Sequence, residues 1–135
     1  MKTKRLAVFL LAISVLTLIM TLCTTSRQSE PQPELYHMVF FWLSNPNDTT
    51  AMNALYQNTM AFSNIPGVID IVVGSVVQSE RSVVEDSYDL GVIISFTTIK
   101  AYNDYLKNPE HVKAEDIALH EYVKKVRVMN INNGF

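Results

Sequence analysis

The sequence predicts an α+β domain of the ferredoxin-like type, a split βαβ with a four-stranded antiparallel sheet and helices on one face. Three observations carry this. Four segments, 35–43, 68–77, 88–96 and 123–131, are rich in aromatic and β-branched residues and end in turn clusters, as strands do. Helical periodicity follows the first and third of them, whereas the second and third are joined by a polar connection. The resulting order of strand, helix, strand, strand, helix pair, strand is that of a split βαβ unit.

The first strand, 35–43, puts Tyr36, Met38, Phe40 and Trp42 on one face and His37, Val39, Phe41 and Leu43 on the other. Both faces are apolar, so both are expected to be covered. Ser44-Asn45-Pro46-Asn47 ends it. Asn47 or Asp48 can cap the next helix, because a short side-chain acceptor satisfies its first free amides. Met52, Leu55, Tyr56 and Met60 recur there at helical spacing, with Phe62 near the end, and read as core. Ile65-Pro66-Gly67 stops that helix. The second strand, 68–77, is apolar on both faces apart from Asp70, and Gly74 interrupts it.

Residues 78–87 are polar and form an exposed connection. The third strand, 88–96, carries Tyr88, Leu90, Val92, Ile94 and Phe96 on one face. A short helix over 98–107 turns Ile99, Tyr102, Tyr105 and Leu106 inward. Asn108 caps a further helix and Pro109 takes its first position, where no amide donor is needed. This helix runs to about His120 through Val112, Ile117 and Leu119, and the fourth strand, 123–131, ends at Asn132-Asn133-Gly134. A sheet with helices on one side would leave Val68, Val72, Val76, Leu90, Val92 and Ile94 wet on the other. Those apolar residues predict a homodimer packed through the sheet face.

Residues 1–34 read as an address rather than as fold. Lys2, Lys4 and Arg5 precede a run from Leu6 to Leu22 that is apolar apart from Ser14, Thr17 and Thr21. This is the order of a secretory signal. The run also approaches the roughly 18 residues that span a bilayer. Cys23, the one cysteine, sits where a lipoprotein signal places its acylated residue, although Leu22 is bulkier than that pattern prefers. Three readings of segment 1–23 therefore stand: a cleaved signal peptide, a lipoprotein signal lipidated at Cys23, and a retained membrane anchor. All three place the domain outside the cytoplasm, in the periplasm or cell envelope. Residues 24–34 form a polar, Pro-punctuated linker, and 35–135 form the folded domain.

Net charge is −2, and without the three basic residues of the N-terminus it is 8 − 13 = −5. So acidic a domain lacks the footprint of a nucleic-acid binder or of a surface for anionic lipid. Membrane contact is expected only through the N-terminal segment. No phosphate-cradling loop, nucleophile elbow or dinucleotide fingerprint is present, and no cofactor is expected. His111 with Glu115 and Asp116 with His120 have the i,i+4 spacing that metals use, but such pairs are common on acidic helices.

Several segments, in order, resemble the stress-responsive α/β barrel (Dabb) family. They are Tyr36-His37-Met38-Val39-Phe40-Phe41, Ile65-Pro66-Gly67-Val68 with Val73-Gly74, Tyr88-Asp89, Tyr105-Leu106, and Pro109-Glu110-His111-Val112. The resemblance spans 35–132 and implies a dimer in which two sheets pack face to face into an α/β barrel. Asn108 stands where the family motif has its first His; the cap survives, and any acid–base role of that His does not.

The family includes a plant polyketide cyclase whose Tyr and His acid–base pair is matched here by Tyr105 and His111. The resemblance therefore implies these two as candidate catalytic residues, with His37 as a candidate ligand-binding residue in the same cavity. The chemistry is sound: a neutral imidazole can remove a proton next to a carbonyl, and a phenol can hydrogen-bond the developing enolate. Against it stands a packing reading, in which His111 bonds backbone near its helix start and Tyr105 fills the core. Two functions follow: a module that binds a small apolar or aromatic ligand or serves structurally under stress, and a cofactor-independent, cyclase-like lyase.

Overall fold

The computed structural model describes residues 32–134. The signal-type segment, Cys23 and most of the linker lie outside the described residues. The elements are β1 (Leu35–Leu43), α1 (Thr49–Ala61) with a 3-10 turn (Phe62–Asn64), β2 (Val68–Ser75) and β3 (Leu90–Phe96). They continue with α2 (Ile99–Tyr105), α3 (Pro109–Ile117), a π-helical turn (Ala118–Tyr122) and β4 (Val123–Asn132). The sheet order is β2-β3-β1-β4 and every pairing is antiparallel. This is the ferredoxin-like α+β arrangement expected from the sequence.

The three α-helix starts each have a side-chain cap; those of α1 and α3 are marked in the sequence, and Thr98 proves to cap α2 rather than to begin it. The Asp48 carboxylate accepts the Thr50 and Ala51 amides, each at 3.0 Å. Thr98 Oγ1 accepts the Ala101 amide at 3.0 Å, and Asn108 Oδ1 accepts the Glu110 amide at 2.9 Å. Gly67 has φ +91°, and a Cβ there would lie 2.3 Å from the Ala101 Cβ. The turn into β2 thus needs glycine both for its backbone and for its approach to α2. The fold also starts slightly before β1. The Glu34 amide donates to Phe96 O at 3.0 Å, and its carboxylate accepts the Ile99 amide at 3.2 Å.

Cross-strand register sorts the sheet into two faces. Under the helices run the rows Ile71–Ile94–His37–Asn130 and Val73–Val92–Val39–Val128. On the outer face run Val72–Ile93–Met38–Met129 and Asp70–Ser95–Tyr36–Ile131. Leu90, Val92 and Ile94 are therefore core residues under the helices, which corrects their assignment to the uncovered face. Val92 is 2% exposed, whereas its neighbour Ile93 is 40% exposed. The apolar outer face that the sequence implied does exist: Val72 belongs to it as expected, Ile93, Met38 and Met129 complete its row, and Val68 packs against the core instead. Near Trp42 this face is closed by its own chain. Tyr88 packs on Phe40 (ring centroids 4.9 Å), Lys125 Nζ lies 3.8 Å over the Trp42 ring, and the Trp42 indole donates to Ser87 Oγ at 3.0 Å.

Other differences have local causes. β2 ends at Ser75, and Val77 is largely exposed, having no strand partner beyond Leu90. β3 begins at Leu90 because Asp89 serves as a terminator: its carboxylate accepts the Leu43 amide at 2.8 Å where β1 bulges. Helix α1 is rotated from the expected phase, so that Ala51, Leu55 and Thr59 are buried and Tyr56 faces outward. In α3 it is His111 that points inward, and Val112 is half exposed. Ile99, Leu106 and Leu119 are also partly exposed rather than core. The helix expected to reach His120 leaves α-geometry at Ala118, and the π turn carries the chain into β4.

Candidate functional site

Between the helices and the sheet lies a cavity of about 240 Å³. Its floor is the covered sheet face, with His37 and Val39 from β1, Val92 and Ile94 from β3, and Val126 and Val128 from β4. Its walls come from α1, α2 and α3, which contribute Thr59, Tyr102, Tyr105, His111 and Glu115. The cavity is within one protomer. Its most exposed apolar lining residues are Val126 and Val128 on the edge strand β4 and Leu106 and Leu119 from the helical side.

All three folded residues singled out in the sequence meet at this cavity. Tyr105 closes α2 and His111 is the third residue of α3, so the break at Asn108 turns both rings the same way. Their centroids are 4.2 Å apart. His37 reaches up from β1, with its ring 6.1 Å from Tyr105 and 5.1 Å from Tyr102. Phe62 and Phe96 complete the aromatic cluster, each packed on Tyr105 with centroids at 5.6 Å and 5.0 Å. Tyr105 is 2% exposed, so it fills the core as well as facing the cavity.

The polar atoms divide into a bonded set and an orphan. His37 Nδ1 lies 2.7 Å from Asn130 Oδ1, and Asn130 Nδ2 donates to the Tyr102 hydroxyl at 3.1 Å. This network assigns the Nδ1–H tautomer to His37 and leaves the lone pair on Nε2. His111 Nδ1, in contrast, is buried with no hydrogen-bond partner among the described residues. No backbone hydrogen bond of good geometry reaches this nitrogen, although the Leu106 backbone lies close enough to the imidazole to raise its pKa, and a buried nitrogen without a full partner is costly.

Burial sets the protonation states. Desolvation lowers the pKa of His111, opposed by the Glu115 carboxylate and the Leu106 backbone. It lowers that of His37 too, where the Asn130 hydrogen bond opposes it and His111 adds to it. Burial, then Glu115 and Tyr102, raise the Tyr105 phenol well above its usual value. Near neutral pH the cavity therefore holds two neutral imidazoles beside a protonated phenol, that is, a base and a hydrogen-bond donor in ring contact.

Asn130, Tyr102 and Glu115 belong to the site although sequence reasoning gave them no such role. Asn130 meets His37 only through the β1–β4 pairing, 93 residues away in the chain. Asp116 and His120 form an exposed pair at 3.3 Å, apart from the cavity lining. Among the described residues no cluster of three metal-ligating side chains occurs.

Fold and cavity together define a ferredoxin-like α+β protein with an apolar, His/Tyr-lined cavity between its helices and sheet. The chain belongs to the stress-responsive A/B barrel (Dabb) family, whose model matches residues 35–133. A comparison with curated proteins finds no match. Solved structures share the fold at low identity. A Dabb-family protein with a ferredoxin-like fold from Mesorhizobium loti is 21% identical, with 74% of this chain and 96% of that chain covered and a TM-score of 0.60. A dimeric protein of unknown function from Bacteroides fragilis is 20% identical, with 73% and 94% covered and a TM-score of 0.59. The hydroxynitrile lyase of Passiflora edulis is 17% identical, with 77% and 99% covered and a TM-score of 0.63.

Proposed function

We propose that this protein is an exported homodimer that binds a compact apolar or aromatic ligand in the cavity between its helices and its sheet. One observation carries the ligand reading: an open apolar cavity with His37, Tyr105 and His111 in its wall. The partnerless His111 Nδ1 supports it, since a ligand hydroxyl or carbonyl-derived enol would give that nitrogen a bond. A ligand screen by thermal shift on the wild type, His111→Ala and Tyr105→Phe tests the reading. Binding that is lost in the variants while they remain folded supports it. A wild type that takes no compact aromatic or apolar compound refutes it.

The dimer is supported by the outer face, where Val72, Ile93 and Met129 are each at least 40% exposed in one continuous row. Obligate interfaces of this type bury roughly 2,000 Å² or more. Neighbours of the same fold are dimers, including the Bacteroides fragilis protein. Sedimentation as a monomer at micromolar concentration would exclude it. Export rests on the basic, apolar, polar order of residues 1–34. Fatty-acid labelling of the wild type and of Cys23→Ala distinguishes a lipid anchor from the other two forms of that segment.

A second reading, an acid–base lyase, is favoured by the ring contact of Tyr105 and His111. Neutral His111 would take a proton next to a carbonyl, becoming imidazolium, as the electron pair moves to the oxygen that the Tyr105 hydroxyl hydrogen-bonds; with a cyanohydrin it would take the hydroxyl proton as the C–CN bond breaks, giving a carbonyl and releasing cyanide. The fold likeness to a hydroxynitrile lyase gives this reading modest support. Turnover of enolisable or cyanohydrin substrates, lost in His111→Ala and in Tyr105→Phe, is the test.

A further inference from the structure

The charge of the cavity narrows the ligand class, an inference that rests on the ligand-binding reading above. Among its lining residues there is no Lys or Arg, and Glu115, one turn after His111 on α3, is the lone carboxylate. His37 and His111 offer no positive charge near neutral pH, because burial keeps both imidazoles neutral. Asn130 is spent on His37 and Tyr102. An anion entering this cavity would lose hydration, meet no cation, and face a carboxylate close enough to raise the pKa of His37, Tyr105 and His111 alike. A neutral molecule that donates a hydrogen bond is served better. His37 is held by Asn130 in the tautomer whose Nε2 can only accept, and His111 Nδ1 lacks a partner.

We propose that the cavity selects a neutral, hydrogen-bond-donating ligand, such as a phenol or an enol on an apolar body, over its carboxylate counterpart, with Glu115 as the selectivity-determining residue.

The test uses matched probes on the full chain: 2-naphthol, neutral at pH 7, and 2-naphthoate, an anion. Wild type is expected to bind 2-naphthol at least about tenfold more tightly. Glu115→Gln should narrow that gap several-fold, chiefly by tightening 2-naphthoate. Added salt should narrow it in the wild type and have little effect in Glu115→Gln, because screening acts on the carboxylate. Glu115 is on the exposed side of α3, so the substitution leaves the fold intact, and an unchanged melting temperature verifies this. Equal affinity for the two probes, or a gap that Glu115→Gln leaves unchanged, overturns the selectivity while leaving ligand binding in place. Failure of the wild type to bind either probe or any other compact aromatic compound overturns the ligand-binding reading itself, and the selectivity with it.

Discussion

The two faces of the sheet are built by the same four strands and have different characters. Under the helices, His37, Val39, Val92 and Ile94 are sealed, and the residual space is an aromatic-lined cavity with titratable groups in its wall. On the outside, Val72, Ile93, Met38 and Met129 form a flat apolar row without titratable groups. Alternation along a strand separates these roles by one residue. The covered face keeps a cavity between the helices and β1, β3 and β4. The bare face can meet another flat surface directly. The covered face is thus suited to a small molecule and the outer face to a second copy.

The strongest test of this contrast is a pair of adjacent substitutions. Val92→Asp places an unpaired carboxylate in the core and should cost more than about 4 kcal/mol, abolishing cooperative thermal unfolding. Ile93→Asp should leave a folded chain that sediments as a monomer. Normal unfolding of the first, or wild-type sedimentation of the second, would remove the distinction between the faces.

Within the covered face, the bonded and orphaned polar groups should respond differently. Asn130→Leu strips the hydrogen-bond partner from Nδ1 of the buried His37 and should cost about 1–3 kcal/mol in denaturant unfolding. His111→Leu removes a nitrogen that already lacks a partner. It should change stability by less than about 1 kcal/mol, or raise it, while removing ligand binding. A larger loss in His111→Leu than in Asn130→Leu would make His111 a structural group.

Both buried histidines have pKa values lowered from 6.5. Below that pH the unfolded chain takes up protons that the folded chain resists, so stability is full above pH 6.5 and declines as pH falls towards the folded-state values. The slope from each histidine is at most about 1.4 kcal/mol per pH unit. His111→Leu should flatten the decline between pH 6.5 and 5; an unchanged slope would mean that its imidazole is not protected from protonation.

The smallest effect is expected from removing residues 1–30. Among the described residues, the bonds nearest that end are made by Pro33, whose carbonyl accepts the Asn133 side-chain amide at 3.1 Å, and by Glu34, with Phe96 and Ile99. Melting temperature should then move by less than about 2 °C. A large drop would make the N-terminal segment part of the fold.

Much of this architecture is legible in the chain because local rules dictate it. Asp48 and Asn108 cap helices at the positions their sequences mark, and β1 spans the nine residues expected. The convergence of Tyr105 and His111 follows from a cap-and-proline break between two short helices. Helix phase was less legible. Hydrophobicity favours Met60 and Tyr56 over Thr59 and Val112 over His111 as core residues, yet Thr59 and His111 are the buried ones, because hydrophobicity alone cannot weigh what the opposing surface will accept.

The family resemblance implied the pairing of Tyr105 with His111; taken alone, the sequence determined the element order, the caps at Asp48 and Asn108, the turn at Gly67 and the acidic domain. These depend on neighbours a few residues apart, where backbone sterics and capping act. Only the tertiary structure decided that Val92 is core and Ile93 is surface, that Asn130 orients His37, that His111 Nδ1 is left without a partner, and that Glu115 is the lone carboxylate lining the cavity. Each of these depends on strand register or on how the helices sit over the sheet, which bring together residues as far apart as 93 positions and which no local pattern encodes.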